Sequence, residues 1–235
     1  GQGLGPKSPK FGAAAPEWAQ AKGVPPGTAR QPGAIWESNG TLLETMLRAL
    51  GQSVTQRQVV ADQPDALRQA LLDLAKVCDV VVSTGGVSAG DSDWIRPLVA
   101  ELGAVDFWKL FLRPGRPFAF GSIGEGVPFF GLPGNPVAAA VTALQLLWPA
   151  LQVLEGQSEP ELFPRVMVEL ADPLSRRPGR PELARARLDT NAAGTLLARV
   201  DGSQASSRIG SLQHADLLLE LPAEAGPLES GTRLW

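Results

Sequence analysis

Carboxylates, the cationic groups of Lys and Arg, backbone amides with neighbouring hydroxyls, or a hard metal ion must carry any chemistry in this chain, because it holds one histidine, His214, and one cysteine, Cys78. Zinc clusters of His and Cys are thereby excluded, and a Ser-His-Asp triad would rest on His214 alone, which reads as a surface or satisfied histidine. The richest run is Ser83-Thr84-Gly85-Gly86-Val87-Ser88-Ala89-Gly90-Asp91-Ser92-Asp93. Its glycines let backbone N–H groups approach an anion closely, Ser83, Thr84 and Ser88 add donors, and a following helix adds its positive end. That is the composition of a phosphate cradle. Asp91 and Asp93 would repel a polyanion unless Mg²⁺ lay between them, which makes them the candidate metal ligands. The competing assignment makes the glycines a tight turn and the aspartates helix caps, and composition alone leaves both open. Gly-x4-Gly-Lys-Ser/Thr is missing, as is Gly-x-Gly-x-x-Gly after a strand, which argues against an ATPase or a dehydrogenase.

Three further groups of residues have useful chemistry. Pro133 and Pro136 fix φ on either side of Gly134-Asn135, so this turn is stiff, suited to a preorganised pocket or simply to starting a helix. Lys109, Arg113 and Arg116 form a basic, proline-bounded cluster able to hold phosphate or another oxyanion, with surface solvation the ordinary alternative. Arg180 after Pro178-Gly179, and Ser206-Ser207-Arg208, lie between expected strands and are either ligand contacts or plain polar loops. Glu37 and Asp62 each follow an expected strand and are candidates for a base or metal ligand, a solvated turn carboxylate being the commoner outcome.

The elements that must position these residues follow from periodicity. Leu42, Leu43, Met46, Leu47 and Leu50 repeat as an amphipathic helix after Ser38 or Asn39 as N-cap, ending at Gly51. A strand over 54–60 leads to Asp62, and a second helix runs through Leu67, Leu71 and Leu74. Asp79 to Ser83 is a β-branched run of the kind buried on both faces of a parallel sheet. A helix near 94–102, strands over 118–120 and 127–132, and a helix starting at Pro136 with Asn135 as its cap complete the pattern. Alternating strands and helices specify an α/β domain with a three-layer, mainly parallel sheet over residues 35–157. Residues 1–34, rich in Gly, Pro, Ala and Lys, read as a flexible lead-in. From 158 to 235, short strands without long helices predict a small all-β domain. In an open parallel sheet the loops at 35–39, 83–93 and 131–136 can converge beyond the carboxyl ends of the strands.

Bulk properties narrow the function. A net charge of −3 gives no general basic surface, so nucleic-acid binding is not expected and any anion site is local. The apolar stretch 137–154 is interrupted by Thr142, Gln145, Pro149 and Gln152, and reads as a buried helix, with no membrane partner expected. Cys78 reads as a small buried residue. No charged segment followed by an apolar core marks the N-terminus, so the expected setting is cytoplasmic.

Taken together, Ile35 to Asn39, Ser83 to Asp93, Phe107-Trp108-Lys109, Arg113 to Pro117, Gly131 to Pro136, Pro178-Gly179-Arg180 and Gln204 to Arg208 resemble, in order and spacing, the molybdopterin molybdenumtransferases, including the carboxy-terminal region of gephyrin. The resemblance runs from Gly33 to the C-terminus. It implies insertion of molybdate into adenylylated molybdopterin with release of AMP, assisted by Mg²⁺. It places nucleotide and pyrophosphate on Ser83, Gly85, Gly86, Ser88 and Gly90, with Ser38 beside them and Asp91 or Asp93 near the metal. Asp62 matches an acidic position implicated in activity. Lys109, Arg113, Arg116, Arg180 and Ser206 are expected around molybdate and pterin, with Pro133, Gly134, Asn135 and Pro136 shaping the pocket; the sulfur ligands come from the substrate. The family is dimeric, with sites that borrow residues from both subunits, so a homodimer is implied, and its N-terminal half has no counterpart in residues 1–34. Two rivals remain: a molybdopterin adenylyltransferase, which usually lacks a β domain, and a gephyrin-like scaffold that binds without turnover.

Overall fold

The computed structural model describes residues 10–16, 23–24, 27, 29, 35–87, 93–200 and 202–235. Its first strand, β1 (Lys10–Pro16), overturns the expectation of a lead-in without regular structure over these seven residues. It pairs in parallel with β4 (Ser53–Val60) on one side and β5 (Val80–Thr84) on the other. Among the described residues, the segments β2 (Gly23–Val24) and β3 (Ile35–Trp36) pair with each other alone. All five residues of β5 are buried, as a strand covered on both faces requires. Beyond it lie β8 (Val127–Leu132), β7 (Ala119–Ile123) and the edge strand β6 (Gly103–Trp108), giving the order β4-β1-β5-β8-β7-β6. Only β7 runs against the rest, since β8 is parallel to β5 while β7 is antiparallel to both β8 and β6. The expected mainly parallel sheet is therefore present.

Two apolar faces hold helices on this sheet. On one, α2 (Pro64–Ala75) and α3 (Ile95–Leu102) bury Leu67, Leu71, Leu74, Ile95 and Leu98 against Val81, Ile123 and Phe129. On the other, α1 (Asn39–Ala49) and the long helix from Pro136 bury Leu43, Leu47, Ala139, Leu147 and Leu151 against Val80, Val82 and Phe130. The long helix is α4 (Pro136–Thr142), a π segment (Ala143–Leu147) and α5 (Trp148–Leu154). Pro149 explains the widened turn: it has no N–H to offer Gln145, and its ring would strike that carbonyl in regular α geometry. Over Pro136–Leu154 the helix is long and apolar enough to cross a membrane, yet 56% of its apolar window is buried inside the protein, so it serves as a core helix. Cys78 is buried, as expected.

Residues beyond 160 form a second, five-stranded sheet of order β12-β10-β11-β9-β13, from β9 (Val168–Leu170), β10 (Glu182–Thr190), β11 (Leu196–Arg199), β12 (Leu217–Leu221) and β13 (Arg233–Leu234). Val168, Leu170, Ala184, Ala186, Ala198 and Leu219 make its separate core. Backbone bonds join the two units: Arg113 N–H to the Pro181 carbonyl (3.0 Å), Leu183 N–H to the Arg113 carbonyl (2.8 Å) and Val137 N–H to the Ser206 carbonyl (3.1 Å).

Candidate functional site at the carboxyl edge of the sheet

Strand register decides which loops meet. Gln58, Ala14, Ser83, Gly131, Ala119 and Trp108 are successive partners across all six strands. The chain leaving Ser83, Gly131 and Trp108 along the common strand direction therefore emerges at one edge, carrying Thr84 to Gly86, Leu132 to Pro136 and Lys109. Asp62 follows β4 at the same edge. Gly85 N–H donates to the Leu132 carbonyl at 2.9 Å, which ties the first two loops directly.

Asn39, at the start of α1, brings in the third loop. Its side chain is buried, and Nδ2 donates to Thr84 Oγ1 (3.2 Å) and to the Gly134 carbonyl (2.7 Å). The loops at 35–39, 83–87 and 131–136 thus meet, as the sequence predicts. Capping differs from expectation. Ser38 occupies the N-cap position of α1 but makes no side-chain cap; Glu37 Oε1 instead accepts from Gly40 N–H at 2.7 Å. Asn135 likewise precedes α4 without capping through its side chain, and Ser206 of the second sheet takes the Val137 N–H instead.

Within the glycine loop, Gly85 and Gly86 have φ of +85° and +68°, the left-handed conformation in which glycine is at ease. Gly131 passes beneath it so closely that a Cβ there would lie 2.6 Å from Val87 Cγ1. Ser83 is fully buried and its Oγ has no hydrogen-bond partner among the described residues, a hydroxyl left over at the strand terminus. Ser88, Gly90 and Asp91 lie outside the described residues. Asp93 stands two residues before α3, with both carboxylate oxygens shut off from solvent. Asp62 stands two residues before α2, and burial pushes its carboxyl above the ordinary range. Both acids therefore sit at the amino ends of neighbouring helices on one face of the sheet.

Cations gather toward β6, where the second sheet docks. Lys109 is exposed and holds φ of +82°, an uncommon conformation for a residue with a Cβ, fixed by its N–H on the Phe118 carbonyl (2.8 Å) and by Leu110 N–H on the Arg116 carbonyl (2.9 Å). Arg113 pairs with Glu182 at 3.4 Å, and Arg180 Nη1 donates to the Leu112 carbonyl at 3.2 Å. Arg180 and Arg113 are thus brought to one junction, while Arg116 is exposed beside it. Asp62 and Lys109 are not brought together. They follow strands at opposite edges of the sheet, five strand spacings or about 24 Å apart.

Sequence reasoning missed Asn39 as the tie between loops and Glu182 as the partner of Arg113. Asn39 left a signal, a polar residue at the first turn of an amphipathic helix. Glu182 left none, because its partner is 69 residues away.

The geometry is that of an α/β ligand-binding protein whose site lies beyond the carboxyl ends of its strands. Residues 24–153 match the model of the probable molybdopterin binding domain, and residues 167–234 match that of the MoeA C-terminal region, domain IV. The chain belongs to this molybdopterin-binding family, with the MoeA-type C-terminal region following its α/β domain. It is 30% identical over 201 residues to the molybdopterin molybdenumtransferase of Haemophilus influenzae, covering 86% of this chain and 50% of the relative. It is 36% identical over 194 residues to the molybdenum cofactor synthesis protein cinnamon of Drosophila melanogaster, covering 82% and 32%. Among solved structures, the molybdopterin biosynthesis MoeA protein of Pyrococcus horikoshii superimposes with a TM-score of 0.78 at 26% identity, covering 97% of this chain and 53% of that one. The chain spans about half the length, or less, of these relatives.

Proposed function

We propose that this chain carries the ligand site of a molybdopterin molybdenumtransferase, acting in molybdenum cofactor biosynthesis by inserting molybdate into adenylylated molybdopterin with release of AMP. The observation that supports this most is the Asn39 tie, which holds three loops at one sheet edge with the cationic junction of Arg113 and Arg180 alongside. In this reading the backbone of Gly85 and Gly86 and the spare hydroxyl of Ser83 bind the pyrophosphate. The resemblance adds Ser88 and Gly90 as ligand contacts, and in this reading Ser38 and Gly134 bound the pocket with Pro133, Asn135 and Pro136. Lys109, Arg113, Arg116, Arg180 and Ser206 hold molybdate and the pterin end. Preorganised cations and amides act where negative charge develops, so little reorganisation is needed during the reaction. The β region matched over 167–234 favours this activity over that of an adenylyltransferase.

Mg²⁺ fits the acids at this edge. Among the described residues no group of three or more His, Cys, Asp or Glu is arranged to hold a metal. Mg²⁺ needs less, commonly one or two carboxylates with substrate phosphates and water completing its shell. Asp93, sealed from solvent at the amino end of α3, meets that requirement, with Asp91 the second candidate. When bound, Mg²⁺ would neutralise charge on the pyrophosphate. A cytoplasmic setting and a homodimer belong to the same reading.

The test is AMP release by the purified chain from adenylylated molybdopterin, with molybdate and Mg²⁺ present or withheld. Molybdate-dependent release that disappears in Asp93→Ala is expected. Substrate binding without any release would overturn the claim that this chain turns over by itself.

A further inference from the structure

On the second sheet, a cleft of about 500 Å³ opens between β10 and the connection over 202–215. It shares no lining residue with the carboxyl-edge site. Arg185 lines it with only 3% of its surface exposed. Among the described residues its Nε is buried without a hydrogen-bond partner, and its one side-chain bond runs from Nη2 to the Ser203 carbonyl at 3.3 Å. Burial pulls its pKa down, Glu182 opposes that, and the nearby charge of Arg113 adds to it. Glu182 is itself held by Arg113, and no described carboxylate lies within ion-pair distance of Arg185. A guanidinium withdrawn from water in this way is costly unless a counter-charge meets it.

Among the described lining residues no aspartate or glutamate supplies that counter-charge, and Arg208 stands at the cleft with Arg185, although the chain as a whole carries −3. Gln204 fixes the wall, its amide exchanging two hydrogen bonds with the Arg185 backbone (2.9 and 3.0 Å), so the cleft is braced. Among the described residues Arg208 makes no side-chain hydrogen bond or ion pair, and it is exposed at the rim, with its fork available. The Ser203 hydroxyl accepts from Ala205 N–H and keeps its own proton to donate.

We propose that this cleft binds a doubly charged tetrahedral oxyanion, of the phosphate or molybdate class, through Arg185 and Arg208. The site is separate from the one at the carboxyl edge, and the proposal does not depend on the function assigned there.

The test titrates inorganic phosphate and molybdate separately into the full chain carrying Lys109→Ala, Arg116→Ala and Arg180→Ala, which leaves Arg113, paired with Glu182, as the one carboxyl-edge cation, and into the same chain with Arg208→Ala added. Saturable binding, weakened about tenfold or more by Arg208→Ala, is expected from loss of a charge-assisted contact. Because Arg208 is exposed, its substitution leaves the fold intact, as circular dichroism would check. Arg185→Met, of similar length and without the charge, should abolish binding. Phosphate alone binding would identify a phosphorylated ligand; molybdate binding as well or instead would identify the free metal oxyanion. Absence of saturable binding of either anion, or equal affinity with and without Arg208, overturns the proposal.

Discussion

Asp62 separates a functional carboxylate from an idle one, because folding and turnover should respond to it in opposite directions. Burial raises its folded pKa above the unfolded value, so the folded state favours the protonated form. Its contribution is therefore most favourable below the unfolded pKa and is lost as pH rises through the folded one. At neutral pH the ionised carboxyl costs stability, and Asp62→Asn should raise the melting temperature at pH 7 while leaving it unchanged at pH 3, as calorimetry at the two pH values would show. If Asp62 acts in the reaction, the same variant loses AMP release despite its greater stability; full retention of release would remove Asp62 from the machinery. Residues of this kind were legible because an acid directly after a strand is a local pattern. Arg185 was not, since nothing in an alternating strand says that one arginine is buried at the wall of a cleft. Asn39 was half legible: its place at a helix start showed, but its acceptors, Thr84 and Gly134, are brought near only by strand pairing.

Between elements, α2 and α3 are clamped by Arg68, which meets Glu101 in a bidentate pair at 2.8 and 3.0 Å and Asp65 at 2.6 Å. These contacts matter to the site because Asp62 and Asp93 stand at the amino ends of the same two helices. The Arg68 hydrogen bond holds the Glu101 carboxyl below its ordinary range. A depressed carboxylate contributes stability that is present above its unfolded pKa and is lost as pH falls through the folded one. Glu101→Gln should therefore lower the melting temperature modestly at pH 7, and its deficit relative to the parent chain should close as acid titrates Glu101. The deficit should also shrink in 1 M salt, since both side chains are partly exposed. A deficit independent of pH would show that packing, not charge, joins the helices. Element assignment from sequence succeeded where composition was distinctive, as in the buried β-branched run of β5. It failed for β1, whose Gly, Ala and Pro residues have weak strand preference and become a strand only because β4 and β5 flank them. The edge strand β6 was missed for a similar reason: its partner β7 is approached so closely that Gly103 and Gly121 leave no room for a Cβ, a constraint set by pairing rather than by pattern.

Across the whole molecule, the cationic part of the candidate site exists only where the two sheets meet. Arg113 is built into that junction through its backbone, its N–H and carbonyl pairing with Pro181 and Leu183 while its guanidinium meets Glu182. The Val137 N–H, one of the unpaired donors at the start of the core helix, is satisfied by Ser206 of the other unit. Separating the units would leave these backbone groups to water and expose the apolar groove in which Leu42, Val141, Leu144 and Trp148 face Phe163, Leu183 and Leu217. The second unit is small, with a core of mostly Leu, Ala and Val, and a core of that size alone supports little stability. The two units should accordingly unfold in one cooperative calorimetric transition, with the calorimetric and van't Hoff enthalpies equal. Val137→Pro, which removes the donor to Ser206 while suiting the first turn of a helix, should lower that transition and begin to split it. Two resolved transitions in the parent chain would instead make the units independent, and the placement of Arg113 and Arg180 at one site would then require a bound ligand to hold it.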